Sequence, residues 1–337
     1  MIIKKEDAYS YNDRDDMEVE TIGSVRTLLE KLEKLKSSSD SFMQSKSVQY
    51  YRGHPSKNFQ ILPSVYRDKN FFQQESRLIR EVTLRCPDDF NSSKSAFESL
   101  VKMQHYGVPT RLLDITENPL VALYFVCSES IENKQKRFED GELILFSIPE
   151  SEIKYYDSDV VTILSNLAWT PEDFSIKKSH INYTRPSPIP EIVKPKLLHN
   201  IRLEKPSFTD SIDARDILTV ACVKPKLTNP RIIKQSGAFM IFGIGEDNDD
   251  KGLYTKLRPA PIQRHWLNNG SNKRFIIPHD KKEKILKQLE QLGITAATLF
   301  PELDKVSEYL KKQFLGMESS KPELIRHPQF VRGPKFG

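Results

Sequence analysis

The stretch MQHYGVPTRLLDITENPLVALYF, at positions 103–125, joins a polar half to an apolar half. From Val121 to Phe125 the chain is continuously apolar, so this half requires burial. The polar half carries side chains that require water, each other or a ligand. These side chains are His105, Arg111, Asp114, Thr116 and Asn118. Such a segment can form the edge of a hydrophobic core or the wall of a binding site. We interpret it as both, because a buried apolar half would hold the polar half in place.

Turn and cap residues divide this segment into three predicted elements. Residues 95–107 have helical periodicity and end at a glycine. Residues 110–116 are predicted to be extended, with Thr110, Leu112, Asp114 and Thr116 on one face and Arg111 and Leu113 on the other. An Asn-Pro pair then provides an N-cap and a first helical residue, which predicts a buried helix over 118–131.

Hydrophobic periodicity predicts the elements of the rest of the chain. Helices are predicted over 24–35, 73–87 and 281–294, and a short loop with a closing helix over 298–314. Strands are predicted over 48–55, 141–149, 231–245 and 273–280. The proline-rich interval of about 150–230 is predicted to be an irregular insertion with one or two short helices.

The composition predicts a soluble protein. The chain has 337 residues, of which 38% are apolar and 29% charged. Its longest apolar runs, such as LVALYFVC, are far shorter than the roughly 18–20 residues of a membrane span, and its N-terminus lacks the features of a signal peptide. Cys86, Cys127 and Cys222 form no CxxC pair, which predicts free buried thiols in a reducing compartment. We therefore expect a cytoplasmic protein with no membrane partner.

Charge and motifs leave the ligand class open. The formal net charge of +5 permits contact with nucleic acid without requiring it, and the basic clusters at 194–205 and near the C-terminus are also consistent with a solvated surface. The sequence contains no GxGxxG, GxxxxGK[ST], HExxH or GxSxG motif. This excludes the familiar dinucleotide-fold, P-loop, zinc-protease and serine-hydrolase signatures, and we predict no metal site.

Two charged residues are the strongest candidates for chemistry. Arg52 ends a predicted strand, where its planar fork can reach a phosphate or a carboxylate, and Gly53 would let a ligand approach the backbone. The alternative for Arg52 is a surface ion pair. Asp114 either contacts a ligand directly, or has a structural role in which it caps the following helix or pairs with Arg111 or Arg52.

Two further polar residues have more ambiguous surroundings. His105 lies near a helix C-terminus, where a partly buried histidine is stabilised by the helix dipole. Gln235 lies in a run of apolar residues, so it must find hydrogen-bond partners, face a cleft or lie at an edge that faces water.

Taken together, five short segments resemble the FRG family. They are YRG (51–53), QHYGVPTRLLDIT (104–116), NPLVALYF (118–125), QSGAF (235–239) and GITAATLFPELD (293–304). The family is named for a Phe-Arg-Gly signature, which is Tyr51-Arg52-Gly53 in this chain. The matches indicate one FRG-type domain over 21–314, with the insertion at about 150–230, a flexible lead-in over 1–20 and a C-terminal tail over 315–337.

The order of these parts also resembles the ADP-ribosyltransferase plan. That resemblance implies an α+β fold with a mixed, mostly antiparallel central sheet flanked by helices, and NAD as the substrate. It implies that Arg52, Asp114 and Gln235 are catalytic. The NAD-binding set would be Tyr51, Arg52, Gly53, His105, Thr110, Arg111, Thr116 and Tyr124. Because Gln235 stands where ADP-ribosyltransferases usually have a glutamate, the missing carboxylate would be Asp114 or Glu142.

Three functions follow as hypotheses. The first is an NAD-dependent ADP-ribosyltransferase-like toxin or anti-phage effector, which modifies a nucleic acid or protein acceptor and has an antitoxin or defence-system partner. The second is a binding module that senses a nucleotide or a phage component without turnover. The third is an interaction protein in which the polar cluster is a buried network that holds the helices over 95–107 and 118–131 against the sheet.

Overall fold

The computed structural model of the protein describes residues 17–39, 46–127, 139–183, 186–247, 252–267 and 273–302. Several predicted segments lie wholly or partly outside these ranges: most of the lead-in, the end of the helix over 118–131, the closing helix before residue 314 and the tail over 315–337.

Two β-sheets form within these residues. The strands are β1 (Glu18–Thr21), β2 (Ser47–His54), β3 (Leu112–Thr116), β4 (Gly141–Pro149), β5 (Ile153–Tyr155), β6 (Ser175–Lys177), β7 (Val220–Lys224), β8 (Gly237–Phe242), β9 (Ile244–Glu246), β10 (Leu253–Pro259) and β11 (Lys273–Ile277). The larger sheet has the order β1-β11-β4-β2-β3-β8-β7-β5, and β6-β10-β9 form the smaller one. In the larger sheet β1 runs parallel to β11 and β5 parallel to β7, whereas the other neighbours are antiparallel. The prediction of an α+β fold with a mixed, mostly antiparallel sheet is confirmed.

Helices flank this sheet. They are α1 (Val25–Ser39), α2 (Lys69–Phe72), α3 (Glu75–Arg85), α4 (Pro87–Phe90), α5 (Ala96–His105), α6 (Pro119–Cys127), α7 (Asp159–Asn166), α8 (Lys194–Glu204), α9 (Ala214–Ile217), α10 (Pro230–Lys234), α11 (His279–Gln291) and α12 (Ala296–Leu299). The predicted helices over 24–35, 73–87, 95–107 and 281–294 correspond to α1, α3, α5 and α11 within a few residues. Ser95 caps α5 by accepting a hydrogen bond from the Glu98 amide, as its position before an apolar run leads one to expect.

Alternation along the strands divides the apolar residues among three clusters. On β4, Leu143 and Leu145 pack with α1, α6 and α11, whereas Ile144 and Phe146 face the opposite side of the sheet. The third cluster lies on the β3-β8-β7 half, beneath α5, α7 and α8. Helices α5 and α6 therefore cover neighbouring halves of the sheet, next to β3 and β2.

The interval of 150–230 differs from its predicted irregularity. It supplies β5 and β7 to the larger sheet, and the apolar residues of α7 and α8 are part of the core. Two of its prolines help to explain the difference, because Pro195 and Pro230 mark the starts of helices without interrupting them. Pro195 lies in the first turn of α8, where a missing amide hydrogen costs nothing.

Residues 231–245 also differ from the single strand predicted for them. Asn229 caps the short helix α10 by accepting a hydrogen bond from the Arg231 amide at 2.8 Å, and Pro230 opens that helix. Ser236 then adopts a positive φ of 46°, and β8 begins at the next residue. Gln235 is consequently the C-cap of α10. The Asn-Pro pair is a local helix-start signal, which hydrophobic periodicity alone does not detect, and periodicity therefore predicted a strand here.

Smaller differences concern the ends of the chain and the thiols. The end of the expected lead-in forms β1, and α12 occupies part of an expected loop. Cys127 and Cys222 are buried as predicted, but Cys86 is exposed at the end of α3.

Among the described helices, none combines the length and apolar composition that crossing a membrane requires.

Candidate functional site

A cleft of about 310 Å³ opens where β2 and β3 diverge. Over the described residues, these two strands pair only at Tyr51 and Thr116. Beyond that pair, the Arg52–His54 end of β2 and residues 114–116 of β3 line opposite sides of the cleft, and α5, α6 and α10 complete its walls. Seven of the predicted site residues line it. They are Tyr51, Arg52, Gly53, His105, Asp114, Thr116 and Gln235.

Arg52 spans the opening between the strands. Its Nη1 donates to the main-chain oxygen of Asp114 at 2.6 Å, and its Nε donates to Nε2 of His54 at 3.0 Å. Since a guanidinium cannot accept, Nε2 of His54 carries no proton in this arrangement and its imidazole is neutral. Burial lowers the pKa of Arg52 to about 10, against the attraction of Asp114 and with added repulsion from Arg67. The guanidinium therefore stays charged at neutral pH and is held in a fixed orientation.

Asp114 provides the cleft with an exposed carboxylate. Its Oδ2 accepts a hydrogen bond from Nε2 of Gln104 at 2.8 Å. The Oε1 atom of Gln104 accepts in turn from the hydroxyl of Thr110 at 2.7 Å. Thr110 is fully buried and does not line the cleft, so it acts by fixing the amide that orients the carboxylate.

Gln235 and Thr116 connect β3 to α10 and α12. The Thr116 hydroxyl donates to the main-chain oxygen of Gln235 at 2.6 Å and accepts from the Asn118 amide at 3.0 Å. The side-chain amide of Gln235 donates to the main-chain oxygen of Leu299 at 3.1 Å. Gln235 thus has a hydrogen-bond partner and also lines the cleft, so the first two of the alternatives that its sequence context leaves open both apply.

Residues 299–302, which we call the rim, contact side chains in the walls of the cleft. Phe300 packs edge-on against Phe125 with ring centroids 6.0 Å apart, and the guanidinium of Arg231 lies 4.6 Å from the Phe300 centroid. An oxygen of Glu302 is 3.1 Å from Nε2 of His105. The rim therefore contacts residues that belong to three different walls of the cleft.

Arg111 lies outside the cleft and is fully buried. Its Nε and Nη2 donate to the two carboxylate oxygens of Glu75 at 2.9 and 2.5 Å, and its Nη1 donates to the main-chain oxygen of Phe242 at 3.0 Å. Lys256 is 3.5 Å from the same carboxylate. The predicted NAD contact by Arg111 is not what this geometry offers, because all three guanidinium nitrogens are engaged in the core.

Two other candidates are placed away from the cleft. Tyr124 packs edge-on against Phe125 at 5.9 Å and lies beside the cluster of α1, α6 and α11. Glu142, one of the two carboxylates considered for catalysis, is buried and its Oε1 accepts from Nε of Arg274 at 2.9 Å. Asp114 is therefore the one of those two carboxylates that reaches the cleft.

Residues 47–135 match the FRG domain family. This chain contains an FRG domain. The matched range includes β2, β3, α5 and α6, and so supplies the two strands that diverge and two of the walls that flank them. No curated protein and no solved structure matches the chain. Within the described ranges, no three His, Cys, Asp or Glu side chains are arranged to hold a metal ion.

The cleft, which also takes residues from outside the matched range, includes polar residues that the sequence did not single out. They are His54, Arg67, Gln104, Asn229 and Arg231. A signal existed for His54, because it follows Arg52 by two residues on a predicted strand and therefore shares its face. Arg67 and Arg231 come from short helical turns whose approach to the cleft depends on distant parts of the fold.

Gly53 has a packing role in the FRG signature in addition to lining the cleft. A Cβ at this position would lie 2.1 Å from the main-chain oxygen of Ala122 and 2.8 Å from the main-chain nitrogen of Val126. Because both atoms belong to the backbone of α6, they cannot move aside without shifting the helix. The absent side chain makes room for α6 against β2.

We expect Gly53→Ala to lower the free energy of unfolding by about 3 kcal/mol, at the upper end of typical overpacking costs. Gly23→Ala is the matched control, since a Cβ at Gly23 would have nothing within 4 Å. Urea denaturation of both variants measures the difference. Equal stability of the two variants would contradict the packing role.

Proposed function

We propose that the FRG domain binds NAD in this cleft and transfers its ADP-ribose group to an acceptor, as the catalytic part of a toxin or an antiviral effector. One observation carries the proposal. The guanidinium groups of Arg52 and Arg67 line the same cleft closely enough for their charges to oppose each other, and the carboxylate of Asp114 adjoins them.

The arginines fit a pyrophosphate. Like charges that converge on a cleft are relieved by an anion, and guanidinium forks match phosphate oxygens in geometry as well as in charge. The His54 contact and the Asp114 carbonyl contact hold Arg52 in place before any ligand arrives, which reduces the entropy lost on binding.

Asp114 fits the chemistry at the ribose. In ADP-ribosyl transfer the bond between C1′ of the ribose and the nicotinamide nitrogen breaks, and nicotinamide leaves with the bonding electrons. A lone pair of the acceptor forms the new bond to C1′, and the acceptor then loses its proton. A carboxylate beside C1′ stabilises the positive charge that develops there or receives that proton. Gln104 and Thr110 would keep the Asp114 carboxylate oriented for this role.

Gln235 supports a second candidate, in which the same cleft binds a nucleotide without turnover. An amide accepts or donates hydrogen bonds to a ribose hydroxyl but cannot act as a base at neutral pH. Because the Nε2 atom of Gln235 donates to Leu299, its oxygen is the atom suited to a ribose hydroxyl. Under this candidate the domain senses NAD or a related nucleotide, and a partner acts on the signal.

Asp114→Asn separates the two candidates. We expect it to slow nicotinamide release from NAD at least about 100-fold, the lower range for loss of a general acid or base, while the Kd for NAD changes less than threefold. Asp173→Asn, at an exposed carboxylate outside the cleft, should match the wild type. Nicotinamide is measured by chromatography after incubation with NAD and total cell RNA, DNA and protein, with labelled NAD to identify the acceptor.

The wild type decides the outcome. Binding of NAD with no nicotinamide release and no label transfer would favour the sensor over the transferase. Failure to bind NAD at all would contradict the transferase, and failure to bind any nucleotide would contradict the sensor as well.

A further inference from the structure

A second cavity, of about 260 Å³, adjoins the cleft. Its lining comes from the loop that follows β2 and from the short helical turn that follows this loop. The lining residues are Asn58, Phe59, Gln60, Leu62, Tyr66 and Arg67. Phe59 and Arg67 line both cavities, so the two spaces meet at an aromatic ring and a guanidinium.

We infer that this second cavity is a nucleobase subsite, and that the complete ligand is a dinucleotide whose pyrophosphate lies between Arg52 and Arg67. The inference rests on the proposed function for the ligand in the main cleft and adds the site of its other half. With volumes of about 310 and 260 Å³, both cavities lie close to the low end of the range of about 300–1,000 Å³ that is typical of small-molecule sites. Each therefore suits one half of a dinucleotide better than the whole.

Phe59 supplies the surface on which a base can stack. Its ring is partly exposed and packs edge-on against His54, with centroids 6.1 Å apart and an interplanar angle of 64°. His54 in turn accepts the hydrogen bond from Arg52. The imidazole of His54 thus contacts both the ring of Phe59, on which a base would stack, and the guanidinium of Arg52, which would bind a phosphate.

Arg67 lies at the junction, where a dinucleotide has its phosphates. Its Nε and Nη2 donate to the main-chain oxygen of Leu62 at 3.3 and 3.2 Å, which fixes the plane of the guanidinium. With Arg52 on the side of the main cleft, two cations would flank two phosphate groups. A mononucleotide would engage only part of this arrangement.

Asn58 and Gln60 supply the polar groups that recognise a base. Each carries an amide with a donor and an acceptor side by side, and Asn or Gln pairs in this way with the amino group and N7 of adenine. The main-chain nitrogen of Asn58 donates to Oγ of Ser56 at 3.2 Å, and this bond stabilises the turn from which both residues line the cavity. An adenine is therefore the base that we assign to this subsite.

Calorimetric titration of the whole chain with three probes tests the assignment. ADP-ribose spans both cavities, nicotinamide mononucleotide reaches only the main cleft, and AMP reaches only the subsite and the junction. We expect Phe59→Leu and Gln60→Ala to raise the Kd for ADP-ribose and for AMP, about tenfold for the lost stacking surface. Gln60 lines only the second cavity, so Gln60→Ala should change the Kd for nicotinamide mononucleotide less than twofold. Phe71→Leu and Gln73→Ala, outside both cavities, are the matched controls.

The outcomes distinguish this inference from the proposed function. If the variants leave the ADP-ribose and AMP affinities unchanged while nicotinamide mononucleotide still binds, the subsite is wrong and the proposed function stands. If the wild type binds AMP in a manner that depends on Phe59 but does not bind nicotinamide mononucleotide or NAD, the subsite stands and the proposed function fails. Absence of AMP and ADP-ribose binding to the wild type overturns the inference. Gln60 is exposed, so its variant keeps the test valid if Phe59→Leu does not fold.

Discussion

Arg111→Ala is expected to lower the free energy of unfolding by about 3–5 kcal/mol, the range for removing one partner of a buried ion pair. Glu75 and Arg111 are both fully buried and share two hydrogen bonds. Without the guanidinium, the carboxylate would keep Lys256 as its nearby cation but would lose both of those bonds. The main-chain oxygen of Phe242 would lose its contact with Nη1 as well.

Two comparisons make this result specific. Arg85→Ala removes a partner from an exposed i,i+4 pair with Glu81 and should cost less than about 0.5 kcal/mol. Arg111→Met should be more stable than Arg111→Ala, because the methionine refills the space of the guanidinium while Glu75 keeps its contact with Lys256 in both variants. Urea denaturation at neutral pH measures all three. A loss in Arg111→Ala no greater than in Arg85→Ala would contradict the structural role assigned to this pair.

Acid denaturation provides another readout of the same pair. Burial opposes ionisation of Glu75, but the Arg111 and Lys256 charges prevail and hold its pKa below the usual 4.5. A carboxyl with a lowered folded-state pKa contributes stability that is present above its unfolded pKa and is lost as the pH falls through the folded value. The free energy of unfolding of the wild type should therefore fall as the pH drops below about 4.5. In Glu75→Gln the unfolding free energy should fall less steeply with pH, because the contribution of Glu75 is absent.

Local patterns predicted two of the helical walls of the cleft, α5 and α6, and the strand that carries Arg52, because each is defined by neighbouring residues. A cap and an apolar run define α5, an Asn-Pro start and a continuous apolar run define α6, and the signature Tyr51-Arg52-Gly53 ends an apolar strand. These elements need only neighbouring residues to be recognised. The sequence offered an ion pair between Asp114 and Arg52 as one alternative, whereas the structure joins them through the main-chain oxygen of Asp114.

Contacts between distant residues explain what the sequence did not reveal. Arg111 and Asp114 belong to one polar segment, yet Arg111 is buried because Glu75 lies 36 positions before it and Lys256 approaches from a third part of the chain. Nothing in the periodicity of residues 110–116 distinguishes an arginine that binds a ligand from one that is neutralised in the core. Gln235 shows the same limit, because its partner is the main-chain oxygen of Leu299, 64 positions away.

Arg52→Ala is expected to weaken NAD binding at least about 100-fold, because a charge-assisted contact to phosphate and the preorganised fork are both lost. Arg52→Lys should recover only part of this affinity, since an ammonium keeps the charge but cannot bridge Nε2 of His54 and the Asp114 carbonyl in the same plane. Arg77→Ala, at an exposed arginine outside the cleft, is the matched control. Calorimetry with NAD measures the affinities, and induced expression with cellular NAD followed alongside measures toxicity.

The stability of Arg52→Ala decides between a site and a structural network. If Arg52 belonged to a structural network, Arg52→Ala should lower the free energy of unfolding by about 3–5 kcal/mol, as breaking a buried ion pair does. The contacts of Arg52 indicate a smaller decrease in the free energy of unfolding, about 1–3 kcal/mol, because its guanidinium donates to a carbonyl oxygen and to a neutral imidazole. Loss of NAD binding and toxicity with that modest cost would therefore assign Arg52 to the ligand. A loss of stability as large as in Arg111→Ala, with NAD binding unchanged, would instead make the polar half of residues 103–125 part of the framework that holds α5 and α6 against the sheet.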